Sequence, residues 1–186
     1  YFGFFTDSLH GLGSMLGWKI PVPHLEVLLP VGISFYTFVS MSYTIDVYRG
    51  RIAPVRDISV FMAFISFFPQ LCAGPIERAS HMLPQFSKPR SFDLAQASDG
   101  MRQMLWGFFK KLVIADRCAA VVDQVYGQVD HYEGLSLLLA TYFFAIQIYC
   151  DFSGYADIAL GAAKVMGFDL MVNFRTPYRS ASISEF

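Results

Sequence analysis

Three long stretches without a charged side chain constrain this chain more than anything else in it. Residues 27–45, 58–76 and 134–150 contain no Asp, Glu, Lys or Arg. Each is close to the ~17–25 residues with which a helix crosses the hydrocarbon core of a bilayer. One such run fits the core of a soluble protein, but three within 186 residues point to a membrane protein. Composition agrees, because charged residues make up 16% of the chain, against about 25% in a soluble domain. The expected fold is all-α, a polytopic transmembrane helical bundle. The chain is expected to be the central fragment (1–186) of a single membrane domain, cut at both ends. It opens at Tyr1 without an initiator Met, on residues that read as the tail of an earlier helix. At the other end, Ser182 and Glu185 form a capping box that announces a helix, and the sequence stops at Phe186.

Several functions are disfavoured at once. A net charge of −1 leaves no basic stripe for nucleic acid. Cys72, Cys118 and Cys150 are far apart in apolar surroundings, and read as small buried hydrophobes instead of a disulfide framework or zinc site. No metal-ligand spacing and no phosphate-cradling glycine loop occurs. His10, His24, His81 and His131 stand beside no nucleophile arrangement, and each reads as an interfacial or surface histidine.

Along the chain, residues 6–24 carry Gly11, Gly13, Gly17, Pro21 and Pro23, and read as a loop with one short interfacial helix. The 27–45 stretch is rich in hydroxyls that can bond to backbone or to neighbouring helices, as in a segment buried within a bundle. Asp46, Arg49 and Arg51 mark its exit into water. The 58–76 stretch is broken by Pro69, Gly74 and Pro75. Two readings stay open: the helix ends and a surface loop follows, or a re-entrant segment lines a cavity, its freed backbone groups covered by protein or water. Residues 81–92 read as a loop. Residues 93–126 read as helix, interrupted by Lys110-Lys111 and Asp116-Arg117. Those charges fit an in-plane helix with snorkelling lysines and equally a plain amphipathic linker. Pro177 makes the residue before it extended.

Residues 134–167 hold the most informative pattern. At 100° per residue, Gln147, Cys150, Asp151, Gly154, Asp157 and Gly161 share one helix face. That face is small and acidic, while the opposite one is apolar. Small residues allow close helix approach, and intramembrane acids mark functional or tightly paired positions. The alternative is that the apolar helix ends near Cys150, with Asp151 and Asp157 in interfacial water or paired with Arg175 and Arg179.

Four stretches in order carry a family resemblance. They run from Pro30-Val31-Gly32-Ile33-Ser34-Phe35-Tyr36 to Tyr48-Arg49; from Phe68-Pro69-Gln70-Leu71 to Ala73-Gly74-Pro75-Ile76; from Gln147 through Asp151-Phe152-Ser153-Gly154-Tyr155 to Asp157; and from Asn173-Phe174 through Pro177-Tyr178 to Glu185-Phe186. Together they resemble the bacterial branch of the membrane-bound O-acyltransferase family, of the type that acetylates alginate. The resemblance implies a multi-pass protein of the bacterial inner membrane. It implies acyl transfer, by expectation acetyl, from a cytoplasmic acyl thioester such as acetyl-CoA, with no bound cofactor. The acceptor would be an exported polysaccharide or a periplasmic relay acyltransferase. D-alanyl transfer in teichoic acid modification, a transporter and a structural membrane subunit are the alternatives.

The family's catalytic histidine follows the Glu185-Phe186 equivalent in a Trp-x-x-Trp-His motif, so no catalytic residue is assigned within these positions and no metal is expected. The candidates to line the reaction cavity are Gln70, Arg78, Gln147, Asp151, Asp157, Asn173, Tyr178 and Arg179. The expected outcome for residues 1–186 expressed alone is no acyl transfer, and a donor-dependent acylation assay on the purified fragment checks it.

Overall fold

The computed structural model describes residues 2–15, 17, 32–71, 74, 75, 77–173 and 177–183. Every regular element among them is helical. The chain divides into two compact units, residues 1–31 and 32–186. The described part of the first contains one helix, α1 (Phe2–Met15). It runs through Gly11 and Gly13, where the sequence suggested a loop, because glycine in a helix interior costs only about 1 kcal/mol relative to alanine. Pro21, Pro23 and the start of the first uncharged stretch lie outside the described residues.

In the second unit, α2 (Ile33–Tyr48) returns its hydroxyls to its own backbone. Thr37, Ser40 and Thr44 donate to carbonyls four residues back, and Ser42 to one three residues back. That local satisfaction removes any need for a neighbouring helix, and Val39 is the helix's one fully buried residue. α3 (Ile58–Ile65) starts at Asp57, whose carboxylate accepts from the Ser59 amide at 2.8 Å. Pro69 then forces a short 3-10 turn, Phe68–Gln70. Cys72, Ala73 and Ile76 lie outside the described residues. Around them, Pro69, Gln70, Gly74, Pro75 and Glu77 are all buried. The proline break is therefore wrapped in protein and is no surface loop.

α4 (Ala79–Phe86) occupies positions that the sequence suggested were loop, and it tolerates Pro84 near its end. Three apolar side chains, Ala79, Met82 and Leu83, anchor it in the core. Their spacing of three to four is too short a signal to outweigh a proline on inspection. The core joins them to Phe64, Phe67, Leu160, Ala163, Phe168 and Leu170. Phe67, Phe86 and Phe168 form an aromatic triangle with ring centroids 4.6 to 5.8 Å apart.

The longest feature is a helical hairpin. Its first arm is continuous from Leu94 to Tyr126: α5 (Leu94–Phe108), a π-helical stretch (Phe109–Ala115) and α6 (Asp116–Tyr126). Asp93 caps it by accepting from the Ala95 and Gln96 amides. The second arm, α7 (Leu135–Val165), is the one described helix long and apolar enough to cross a membrane.

The arms run antiparallel through two reciprocal glycine contacts. A Cβ on Gly100 would lie 2.6 Å from the Gly161 carbonyl oxygen, and one on Gly161 would lie 2.4 Å from that of Gly100. Gly107 and Gly154 repeat the arrangement at 2.6 and 2.9 Å. Both pairs are seven residues apart, two turns along each helix, so the backbones touch along one seam. Outside it, Leu105, Trp106, Leu112, Leu138, Tyr142 and Phe144 remain exposed.

Replacing Gly161 by Ala should destabilise the protein by about 1–3 kcal/mol, since backbone stands in the way of the new methyl. Gly11→Ala, with open space around it, should not lower stability; thermal unfolding of both variants in detergent checks the contrast. At the open end of the hairpin, Lys164 donates to Asp99 at 2.6 Å. That bond, helped by the lysine's charge, holds the Asp99 carboxyl below the ordinary aspartate value. The pair therefore supports the fold above the unfolded-state aspartate pKa and loses its contribution as pH falls through the lowered value. Asp99→Asn should flatten the acid limb of the stability profile slightly, as measured by melting temperature against pH.

Candidate functional site

The glycine seam delivers polar side chains into the space between the arms. Lys110 is 9% exposed as a residue, and its ammonium pairs with Asp157 and donates to the Ser153 hydroxyl at 3.1 Å. Gln103 donates to the other Asp157 oxygen at 3.1 Å. Beside it, Lys111 reaches Asp151 at 2.5 Å and Asp116 at 3.0 Å, in a more open setting. Two adjacent lysines thus meet two acids six residues apart on α7, about 9 Å along its axis. The π-helical stretch that carries both lysines is the kind of local widening frequently found at functional positions.

The small, acidic face read from the sequence is therefore real, and its partners are lysines of the first arm. Lys110 does not snorkel: its charge turns inward because the Asp157 carboxylate and the Ser153 hydroxyl await it there. The suggested pairing of the acids with Arg179 does not occur, and Arg175 lies outside the described residues.

The remaining candidates fall in different places. Gln147 lies on the same α7 face, with its side-chain oxygen buried and without a partner among the described residues. Gln70 is buried and donates to the Phe64 carbonyl at 3.2 Å, and its oxygen is likewise unpartnered. Tyr178 donates to the Ala145 carbonyl at 2.8 Å, its ring 5.5 Å from that of Tyr149. Arg78 occupies the N-cap position of α4. It is exposed, as are Asn173 and Arg179. The structure thus joins Asp151 and Asp157 in one cluster and leaves Arg78, Asn173 and Arg179 at the surface. Cys118 and Cys150 are buried and unbonded to each other.

A second polar assembly was not anticipated. Glu77, His81 and Gln85 follow at intervals of four and grip the extended segment after α7. Gln85 exchanges two hydrogen bonds with the Asp169 backbone, at 2.8 and 2.9 Å. The Glu77 carboxylate accepts from the Met171 amide and from His81 Nδ1, the latter at 3.0 Å. In that extended segment alternate residues face opposite ways: the Asp169 backbone bonds to Gln85 of α4 and the Met171 amide to Glu77 just before it, while Phe168 and Leu170 enter the core. Glu77 is 1% exposed, a burial that only such full pairing sustains. The spacing of four was the available signal, hidden by the loop reading of residues 81–92.

Comparison with known proteins fits this picture. Residues 52–186 match the membrane-bound O-acyltransferase family, and the chain belongs to that family. Over all 186 residues it is 43% identical to a Pseudomonas putida protein named "Probable alginate O-acetylase AlgI", covering 38% of that protein. It is 32% identical to the peptidoglycan O-acetyltransferase of Helicobacter pylori, over 91% of this chain and 37% of the relative. With the teichoic acid D-alanyltransferase of Bacillus subtilis the identity is 26%, over 88% of this chain and 42% of the relative. The chain spans about two-fifths of the length of these relatives.

The two lysine–aspartate pairs should differ in weight. Lys110→Met leaves Asp157 largely shielded and partly uncompensated, and should cost about 3 kcal/mol. Lys111→Met, in a pair whose side chains are 41% and 45% exposed, should cost no more than about 1 kcal/mol. Thermal unfolding of the two purified variants tests the order.

Proposed function

We propose that the protein is a multi-pass enzyme of the bacterial inner membrane that transfers an acetyl group from a cytoplasmic acyl thioester to an exported polysaccharide, directly or through a periplasmic relay acyltransferase. The observation that carries this reading is the likeness of the whole chain to alginate O-acetylases, at 41–43% identity over its full length in four of them. The D-alanyltransferases are more distant, at 25–26%. The exposed apolar residues outside the hairpin seam support further membrane helices around it.

In this reading the polar seam organises the reaction cavity. The Lys110–Asp157 and Lys111–Asp151 pairs hold the arms in register, and Gln70 and Gln147 offer unpartnered oxygens to substrate or water. Acyl transfer needs a base for the attacking hydroxyl and donors for the developing oxyanion. The residues described here act as a scaffold that positions such groups in a sheltered site. The histidine that the family resemblance assigns to the base stands after the Phe186 position.

The test is donor-dependent acylation of polysaccharide by cells or membranes carrying the protein. Asp157→Asn should lower product acetylation at least about tenfold while the protein remains in the membrane. Transfer of D-alanine in place of acetyl, or solute flux without any acylation, would overturn the proposal.

A further inference from the structure

The face of α4 that grips the 168–171 segment also borders a cavity that the acyl-transfer reading does not use. Its volume is about 480 Å³, and His81, Gln85, Lys88, Arg90, Gln96 and Asp169 contribute to its lining. A smaller cavity of about 180 Å³ adjoins it and shares Arg90 and Gln96. We propose that this cavity binds an anionic phosphate group, carried by a phospholipid headgroup or by a soluble phosphoester.

The lining matches that chemistry. Lys88 and Arg90 bring two permanent positive charges against the one carboxylate of Asp169, which is 82% exposed at its side chain. The Arg90 guanidinium lies 3.2 Å from the centre of the Phe168 ring, so its plane is fixed before any ligand arrives. Among the described residues its side-chain hydrogen bond goes to the Gln85 carbonyl. A guanidinium has five donors in a fork that suits phosphate oxygens, so most remain for a ligand. Gln96 sits in the first turn of α5, whose Ala95 and Gln96 amides are taken by Asp93, so its contribution to the lining is its side-chain amide.

His81 is built in by the same logic. The Glu77 carboxylate is fully buried and can only accept, so Nδ1 of His81 carries the proton toward it. The ring is thereby oriented, with Nε2 turned to the Asp169 side, 3.8 Å from that carboxylate. Two bonds exchanged with Gln85 fix the backbone on which Asp169 stands, while Arg90 is held by its bond to the Gln85 carbonyl and its packing on Phe168, so a ligand would pay less to order that side chain on binding.

The proposal is independent of the acyl group transferred, and its test measures binding alone. The purified protein is placed in nanodiscs of phosphatidylcholine and titrated with glycerol 3-phosphate. In parallel, native mass spectrometry counts phosphatidylglycerol retained from mixed-lipid discs. The first arm reports a soluble phosphoester and the second a lipid headgroup. At least one probe should bind, and Lys88→Ala and Arg90→Gln should each weaken it about tenfold, the loss expected for one charged hydrogen bond. Arg117→Ala, on α6, should leave binding within about twofold. Arg90 also packs on Phe168, so Lys88→Ala, whose side chain is exposed, decides the matter if Arg90→Gln fails to fold. Absence of binding in both arms, or unchanged binding in a folded Lys88→Ala variant, overturns the proposal.

Discussion

Backbone-to-backbone contact at Gly100–Gly161 and Gly107–Gly154 sets the geometry on which the rest of the second unit depends. A methyl group at any of these four positions would meet carbonyl oxygen at less than 3 Å. Only with hydrogen there can two helices come close enough for lysines on one to meet aspartates on the other without long, mobile reaches. The approach also keeps most water from the Lys110–Asp157 pair, which strengthens it and raises the cost of leaving a partner alone. The π-helical stretch then lets neighbouring lysines serve two acids separated along α7. Close packing and buried charge are thus one device: the glycines bring the arms together, and the lysine–aspartate pairs fix their register.

The other end of α7 is held differently. There is no glycine seam between α4 and residues 168–171, and Gln85 of α4 with Glu77 just before the helix act as the edge of a sheet would, bonding to alternate backbone groups. The extended segment can then send Phe168 and Leu170 into the core while its polar groups remain satisfied. Beside the proline break between α3 and α4, Phe67 packs on Phe168 in the same core. Chain that cannot form regular helix is wrapped in protein here, which is the requirement for irregular backbone in an apolar setting.

Much of this was readable beforehand where periodicity was long and one-sided. The first arm, the extent of α7 and its small acidic face all follow from spacing over many turns. The hairpin register was latent in two glycine pairs of equal spacing, Gly100/Gly107 and Gly154/Gly161, but no sequence rule says that such pairs must meet. The roles of Lys110 and Lys111 were misread because a lysine beside an apolar run is as compatible with snorkelling as with burial. Only the position of an acid on another helix decides between them. α4 was missed because two turns of helix containing Pro84 give too little pattern to outweigh a proline. With α4 went Glu77, His81 and Gln85, whose common face exists only if the helix does.

The sequence by itself determined that this chain is helical, apolar beyond what a soluble domain carries, and marked by acids on a small-residue helix face. It determined these things because they depend on local composition and on the 3.6-residue period, which neighbouring residues impose on one another. Tertiary structure decided which charges meet. Asp151 and Asp157 could have faced solvent, an arginine or a lysine, and the choice rests on contacts between residues forty or more positions apart. It also decided that the proline break is interior and that α4 reads the backbone after α7. The uncharged stretches and family motifs thus fix the class of protein, while close approach of two helices through four glycines fixes the site.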